Sequence, residues 1–280
     1  MLSLPRPDRL AWLVMPGLLI LLVIYAWPLV RLLASSLVSA DGQWGVAAYI
    51  NFLTDDYHLN VLWRTLRVAL LTTLLALVIA YPTAVTMANA GERVQSLFLV
   101  AMILPLSVGV VVKAFAWSIL FRTQGFINQT LMAMGITDAP IRLLFTETAL
   151  VIGAANVFLP FMVLPIYAVL RQLDRSLPDA ASTLGASPWF RFRHVTWPLS
   201  LPGVIAGCSL TFSLAVSMYV IPSLIVGERQ QTLSMLIARS YLYLRDEQLG
   251  STISAILLII AVTIVLISTI LVSRQKASQS

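Results

Sequence analysis

Six long apolar runs, separated by polar segments, dominate the chain. Each run is close to the roughly 20 consecutive apolar residues that an α-helix needs to cross the hydrocarbon core of a bilayer. The pattern therefore predicts an all-α integral membrane protein with six transmembrane helices in a single domain, residues 1–280. The predicted spans lie near residues 11–33, 66–87, 97–121, 149–170, 201–226 and 253–272.

The first apolar run has one feature of a secretory signal peptide, because Val38-Ser39-Ala40 has the pattern of a cleavage site. Its apolar stretch is of span length, well beyond a typical signal core, so we interpret it as a retained span.

The overall composition supports a membrane protein. Of the 280 residues, 59% are hydrophobic and 11% are charged, whereas a soluble domain carries about 25% charged residues. The net charge of +6 does not indicate a nucleic-acid partner, because basic residues in such a chain mostly fix its topology in membrane lipid. The single cysteine, Cys208, excludes an intrachain disulfide.

The distribution of cations predicts the orientation of the chain. The termini together with residues 88–96 and 171–200 hold nine Lys or Arg residues, and the segments on the other side hold eight. Because cytoplasmic segments carry the excess of Lys and Arg, this bias places both termini in the cytoplasm.

Residues 171–200 form the longest polar interruption on the predicted cytoplasmic side. Ser176 is a suitable N-cap for a short helix, with Pro178 in its first turn and Asp179 at its third position. Gly185 is a suitable stop for that helix.

A second short helix is expected directly after this stop. Ser187 and Pro188 provide its start, and Pro198 and Pro202 are expected to end it before the next apolar run. Such a pair of helices is either a simple connector, with its aromatic side chains at the headgroup level, or a surface that docks onto a soluble partner. In the run that follows, Gly203-x-x-x-Gly207 is typical of close helix contacts in a bundle or a dimer.

The residues of this segment also match a known motif. Asp179-Ala180-Ala181, then Gly185-Ala186, then Phe190 or Phe192 with Val195, Pro198 and Pro202 resemble the EAA loop of the membrane subunits of binding-protein-dependent ABC importers. Asp179 stands where that motif usually has Glu. The similarity continues elsewhere, for example in Ala80-Tyr81-Pro82, Lys113-Ala114-Phe115-Ala116-Trp117 and Tyr219-Val220-Ile221-Pro222, and within the family it is strongest to the spermidine/putrescine-type permeases.

The resemblance implies a permease subunit of an ATP-driven importer in a bacterial inner membrane. Its solute would be a small organic nitrogenous compound, polyamine-like, delivered by a periplasmic binding protein. A cytoplasmic ABC ATPase dimer and a second homologous permease, in a heterodimer, would be its other partners. The expected contacts with the ATPase are Asp179, Ala180, Ala181, Gly185 and Ala186.

Four residues are candidates for the translocation path: Lys113, Trp117, Tyr219 and Pro222. Lys113 is the ionisable residue placed most clearly within a predicted span, where such groups usually face a cavity or a neighbouring helix. Its alternative role is that of a lysine whose stem extends toward the membrane interface. Aromatic faces such as that of Trp117 can hold a cationic solute.

The sequence contains none of the motifs that would make the chain an enzyme. No G-x-x-x-x-G-K-[ST] segment is present, so ATP and Mg are expected only on a partner ATPase, with no cofactor and no metal in this chain. The alternatives are a self-sufficient secondary carrier or channel, a scaffold that transports nothing, and an importer of amino acids or aminophosphonates rather than polyamines.

Overall fold

The protein is almost entirely helical in the computed structural model. The structure describes residues 7–38, 42–173, 183 and 185–279. Side chains are described for all of these residues except 7–13, 229 and 274–279. Within these ranges its β structure is confined to one isolated bridge, between Val38 and Trp44. The helices, in chain order, are α1 (Pro7–Leu37), α2 (Ala47–Thr54), α3 (Asp56–Asn89), α4 (Glu92–Ser107), α5 (Val110–Leu120), α6 (Phe126–Ala133), α7 (Glu147–Gln172), α8 (Pro188–Arg191), α9 (Trp197–Ser217), α10 (Val220–Ile225), α11 (Leu233–Arg239) and α12 (Glu247–Gln279).

Three tighter or wider turns connect some of these helices. A π-helical turn, Phe192–Thr196, joins α8 to α9; a 3₁₀ turn, Gly227–Gln230, follows α10; and a second π-helical turn, Ser240–Leu244, follows α11.

The described residues contain five helices that are long and apolar enough to cross a membrane: α1, α3, α7, the continuous run α8 to α9, and α12. The number becomes six when α4 and α5 are taken together as one broken span. The predicted all-helical membrane fold is therefore confirmed. The predicted spans 11–33, 66–87, 149–170 and 253–272 lie inside α1, α3, α7 and α12.

The predicted span 97–121 is wrong as a single helix. α4 ends at Ser107, α5 begins at Val110, and the two axes differ in direction by 97°. Val108 and Gly109 are extended at the corner, with ψ of 123° and 142°. Pro105 lies just before the corner and lacks the N–H that would continue the helical hydrogen-bond ladder, which weakens the helix there.

The predicted span 201–226 also consists of two helices, because α9 ends at Ser217 and α10 begins at Val220. Met218 between them is extended, with ψ of 132°. Pro222 has no N–H to donate to the carbonyl group of Met218, four residues earlier, so the helical ladder cannot continue through this point.

The chain divides into two compact units. One comprises Met1–Asp56 and Leu236–Ile256, and hydroxyl pairs hold it internally, such as Ser36 with Tyr49 at 2.7 Å and Tyr241 with Ser251 at 2.6 Å. The other comprises Tyr57–Met235 and Leu257–Ser280, and it contains all the candidate site residues. The single domain predicted for residues 1–280 stays a prediction.

Helix α7 lies at the centre of the second unit, because 67% of its apolar 18-residue stretch is buried. α9 packs directly against it. A Cβ atom on Gly203 would lie 2.8 Å from the carbonyl oxygen of Pro165, and one on Gly207 would lie 3.0 Å from that of Met162. The G-x-x-x-G pattern therefore serves a contact between two helices of this chain, as in the bundle alternative.

Candidate functional site

The predicted coupling segment, residues 171–200, is described only in part. Asp179, Ala180 and Ala181 lie outside the described residues, so their contact with an ATPase stays a prediction. Gly185 has φ of +81° and open space around its Cβ position, the left-handed conformation that a helix-ending glycine adopts. Ala186, the last predicted contact, is half-buried beside it.

The second short helix begins as its sequence predicts. The Ser187 side chain accepts a hydrogen bond from the backbone N–H of Phe190, at 3.2 Å, and Pro188 occupies the first turn. The first N–H groups of a helix lack partners within the helix. The serine side chain supplies a partner for one of them, and the proline has no N–H that would need one.

The prediction that Pro198 and Pro202 end this helix is wrong. α8 passes through the π-helical turn Phe192–Thr196 into α9, with Pro198 in the first turn of α9 and Pro202 inside it. The backbone N–H of Trp197 reaches back five residues to the carbonyl oxygen of Phe192. This wider turn lies directly before Pro198, where a regular ladder would lack a donor. The second short helix of the coupling segment and the span α9 are thus one continuous helical run, Pro188–Ser217.

An aromatic cluster supports the π-helical turn from the side of α3. The Tyr81 ring lies 5.8 Å from that of Phe192, nearly perpendicular to it, and 5.1 Å from that of Trp197. The Tyr81 hydroxyl pairs with the Ser200 hydroxyl at 2.9 Å. We call Tyr81, Phe192, Trp197 and Ser200 the inner joint. Such ring pairs each contribute about 0.5–1.5 kcal/mol beyond their buried area.

A groove of about 920 Å³ opens beside the inner joint. The groove has three walls: the turn from α3 into α4, the end of α7, and the helical run from α8 into α9. Both Arg171 and Arg191 line it. Gln95 donates from its amide to the Tyr167 hydroxyl and ties α4 to α7 at this level. The groove gives the coupling end of the chain a concave, partly basic surface.

Three of the four path candidates lie on neighbouring helices of the second unit, and Tyr219 lies at the break between α9 and α10. Lys113 and Trp117 are one turn apart on one face of α5, and α10, which contains Pro222, packs against α5 and α7. A Cβ atom on Gly153 of α7 would lie 2.8 Å from Cδ1 of Ile225 and 3.7 Å from Cγ of Trp117. α5, α7 and α10 therefore meet closely at Gly153. Pro222 is buried in α10, and Tyr219 is 44% exposed at the break before it.

Asn156 is a further candidate for the translocation path, which the sequence analysis missed. It lies in the middle of α7 and is exposed, although most of that helix is buried. Its Oδ1 accepts a hydrogen bond of 3.0 Å from Nε1 of Trp117, whose ring stacks on Phe121. The available signal was an amide inside an otherwise apolar run, since a polar group within the membrane needs a partner or a cavity. The roles of Lys113, Trp117, Tyr219 and Pro222 in transport stay predictions.

Comparison with known proteins identifies the family. Residues 76–278 match the family described as the binding-protein-dependent transport system inner membrane component. The chain is a member of this family. The predicted resemblance is confirmed, and so is the prediction of a permease subunit of an ABC importer. Membership also supports a bacterial inner membrane location.

Several relatives resemble this permease over most of its length. The spermidine/putrescine transport system permease protein PotB of Escherichia coli is 35% identical over 208 residues, 74% of this chain and 76% of the relative. PotB of Haemophilus influenzae is 32% identical over 244 residues, 83% of this chain and 85% of the relative. The putative 2-aminoethylphosphonate transport system permease protein PhnU of Salmonella typhimurium is 29% identical over 241 residues, 81% and 80% of the two chains.

Solved structures share the fold of the permease at low sequence identity. A chain of a bacterial ABC transporter involved in the import of the acidic polysaccharide alginate matches with a TM-score of 0.77 and 16% identity, covering 95% of this chain and 96% of that chain. A chain of the MetNI methionine ABC transporter, in an inward-facing conformation, matches with a TM-score of 0.58 and 17% identity, covering 76% and 93%.

At the other end of the permease, charged and polar groups hold α3 in place. Glu147, at the start of α7, accepts a hydrogen bond of 2.6 Å from Nη2 of Arg67 and pairs with Nε of Arg64 at 3.5 Å. The Thr65 hydroxyl accepts a hydrogen bond of 2.9 Å from the backbone N–H of Leu233. We call Arg64, Thr65, Arg67 and Glu147 the outer clamp.

Proposed function

We propose that this permease moves a small organic nitrogenous solute, polyamine-like, that a periplasmic binding protein delivers. A cytoplasmic ABC ATPase dimer would bind ATP and Mg and contact Asp179, Ala180, Ala181, Gly185 and Ala186. A second homologous permease would complete the path, and both termini would lie in the cytoplasm. This chain would itself hydrolyse nothing.

The observation that carries the mechanism is the continuous helical run from α8 through the π-helical turn into α9. A helical run transmits displacement along its axis, so ATPase closure that shifts the coupling segment would also shift α9. α9 packs tightly on α7 at Gly203 and Gly207, and α7 holds Asn156 beside Trp117. Movement of α9 would therefore change the walls of the candidate path, as in other switches that convert a local change into rigid-body motion.

The solute class rests on the relatives. Two relatives at 32% and 35% identity are spermidine/putrescine permeases, which favours a polyamine. Lys113 favours a second candidate, a solute that also carries an anionic group, such as an aminophosphonate or an amino acid. No carboxylate pairs with Lys113 in the part of the chain that the structure describes, and its ammonium group would repel a solute that is only cationic.

The experiment that tests the coupling proposal compares two glycine variants in cells that express the whole transporter. We expect Gly185→Asp to reduce ATP-dependent uptake of labelled putrescine or spermidine at least about tenfold, because it places a carboxylate on the ATPase contact. Gly42→Asp is the matched control. Gly42 has φ of +76° and open space, as Gly185 does with φ of +81°, so both variants place the same side chain on a backbone of the same left-handed conformation.

Normal uptake by Gly185→Asp, with normal membrane levels of the protein, would contradict the coupling proposal. Pull-down of the tagged chain supplies a second readout, because the wild type should bring down an ATPase and Gly185→Asp should release it. Competition of uptake by 2-aminoethylphosphonate and by putrescine then decides between the two solute classes.

A further inference from the structure

A second groove lies at the opposite end of the permease from the coupling segment. Its walls are the turn after α5, residues 122–124, and the segment before α7, residues 140–145. Buried Asn128 of α6 holds these two walls together. Its Nδ2 donates to the carbonyl oxygens of Arg122, at 3.1 Å, and Ile141, at 2.9 Å, and its Oδ1 accepts from the Ile141 N–H at 2.8 Å.

This groove is positively charged. Arg122 and Arg142 both line it and both are exposed. Neither guanidinium lies within ion-pairing distance of a carboxylate in the described ranges, since the pairs seen there involve Glu147 with Arg64 and Arg67. Asp138 belongs to the same stretch of chain but does not line the groove. Two unpaired arginines on a fixed frame are suited to acidic side chains of a partner.

Helix α6, which joins the two walls through Asn128, has exposed apolar side chains at its start and just after its end. Phe126 is 68% exposed, Met134 is 69% exposed and Ile136 is 61% exposed. Arginine, methionine and aromatic residues together are typical of protein–protein interfaces, where aromatic and apolar side chains surround a few charged contacts.

The position of the groove along α7 determines which side of the membrane it faces. α7 has 26 residues and is therefore about 39 Å long, more than the thickness of the hydrocarbon core. The groove ends at Phe145, two residues before α7 begins, whereas α7 ends at Gln172 next to the coupling segment. A cytoplasmic coupling segment therefore places the groove on the periplasmic face.

A short chain of contacts leads from the groove to the candidate path. Phe145 has φ of +67°, and its backbone N–H donates to the carbonyl oxygen of Ile225 at 3.0 Å. Ile225 is the last residue of α10, and its side chain lies against Gly153, close to Trp117. Displacement of the groove wall would therefore reach the helices that carry Trp117 and Asn156.

We propose that the groove between residues 122–124 and 140–145 is a docking surface for an acidic loop of the periplasmic binding protein. Arg122 and Arg142 bind carboxylates of that loop, and the contact between Phe145 and Ile225 passes the docking event to α10. This inference rests on the proposed function, because it requires a binding protein as the delivering partner.

The test measures ATP hydrolysis by the intact transporter in nanodiscs of neutral lipid as the concentration of the binding protein is varied. The binding protein used is the one that restores uptake to spheroplasts. We expect the double variant Arg122→Glu with Arg142→Glu to raise the half-saturating concentration about tenfold or more at low salt, and the shift to shrink at high salt. Hydrolysis without binding protein should not change.

Two further variants keep the test decisive. Arg245→Glu reverses the charge of another exposed arginine on the predicted outer side and should change the half-saturating concentration less than twofold. The milder pair Arg122→Gln with Arg142→Gln should give a smaller shift in the same direction, and it decides the matter if the charge-reversed complex does not assemble.

An unchanged half-saturating concentration in the double variants, or an equal shift with Arg245→Glu, overturns the docking surface. Added anionic lipid could instead change ATP hydrolysis by the wild type and not by the double variant, while both respond equally to the binding protein. That result would overturn the docking surface in favour of a site for a lipid headgroup. A wild-type complex that ignores every binding protein counts against the proposed function itself, which distinguishes the two failures.

Discussion

The two ends of α3 are held by different chemistry. At one end the inner joint sets the Tyr81 ring against Phe192 and Trp197, with one hydroxyl pair to Ser200. At the other end the outer clamp joins two guanidinium groups to one carboxylate that is 23% exposed. Contacts between uncharged rings depend little on salt, whereas ion pairs near the surface are screened by salt and need two long side chains held in one geometry.

This difference indicates how each end behaves when the coupling segment moves. The Tyr81 ring can stay in contact with the Phe192 and Trp197 rings while α8 and α9 turn against it, because both edge-to-face and offset arrangements of rings are favourable. Only the hydroxyl pair between Tyr81 and Ser200 would have to break. The outer clamp has no such freedom, since its hydrogen bonds either form or break. The inner joint is therefore suited to a pivot, and the outer clamp to a contact with two states.

Removal of the Tyr81 ring is expected to have the largest effect at the inner joint. Tyr81 is only 8% exposed, and Tyr81→Ala leaves a cavity beside both partner rings. We expect a loss of about 3–4 kcal/mol in stability, as for other large aromatic side chains replaced by alanine, and fewer solute molecules moved per ATP. Thermal unfolding of the purified transporter, with uptake and hydrolysis measured side by side, checks both. An unchanged ratio of uptake to hydrolysis would show that Tyr81 only fills space.

A smaller loss is expected when α9 is pushed away from α7 near the inner joint. A Cβ atom on Gly203 would lie 2.8 Å from a backbone oxygen and 3.0 Å from Cα of Ile166. We expect Gly203→Ala to destabilise the protein by about 1–3 kcal/mol, because backbone atoms cannot move aside cheaply. Gly17→Ala in α1 is the control, since its Cβ would meet nothing within 4 Å. Equal melting temperatures for both variants would mean that the α7–α9 contact adapts.

Loss of the Tyr81 hydroxyl alone separates the rings of the inner joint from its hydrogen bond. Tyr81→Phe keeps the ring contacts, and the Ser200 hydroxyl still bonds to the carbonyl oxygen of Trp197 at 2.9 Å. We expect a loss of about 1 kcal/mol, measured by thermal unfolding, with the same value at low and high salt. A loss as large as that of Tyr81→Ala would place the importance of the residue in its hydroxyl group.

The outer clamp should give the smallest effect and the one that salt removes. Glu147→Gln abolishes both ion pairs, but the partners Arg64 and Arg67 are 28% and 47% exposed. We expect a loss of at most about 1 kcal/mol at low salt that disappears near 1 M salt. A loss that persists in 1 M salt would remove the contrast between the two ends.

Much of this architecture could be predicted because it depends on local pattern. Runs of span length predict membrane helices, and Ser187 with Pro188 predicts the start of α8. The corner at Val108 and Gly109 was not predicted, because the hydropathy of a run indicates its length and does not indicate a change in the direction of the helix axis.

The contacts that build the candidate site could not be predicted from one sequence. Tyr81 meets Ser200 across 119 positions of the chain, and Trp117 meets Asn156 across 39. Such pairs depend on how helices pack, and neither residue of a pair carries a local sign of its partner.

The corner between α4 and α5 also bears on how the protein is made. With 16 and 11 residues, these helices are about 24 and 17 Å long, so neither reaches across the roughly 30 Å hydrocarbon core alone. The first N–H groups of α5 need partners that lipid cannot supply. α5 packs against α7 and α10, which leave the ribosome later. We therefore expect this segment to acquire its final depth during biogenesis only after the downstream helices have been translated, whereas α3 is long enough to insert as soon as it emerges.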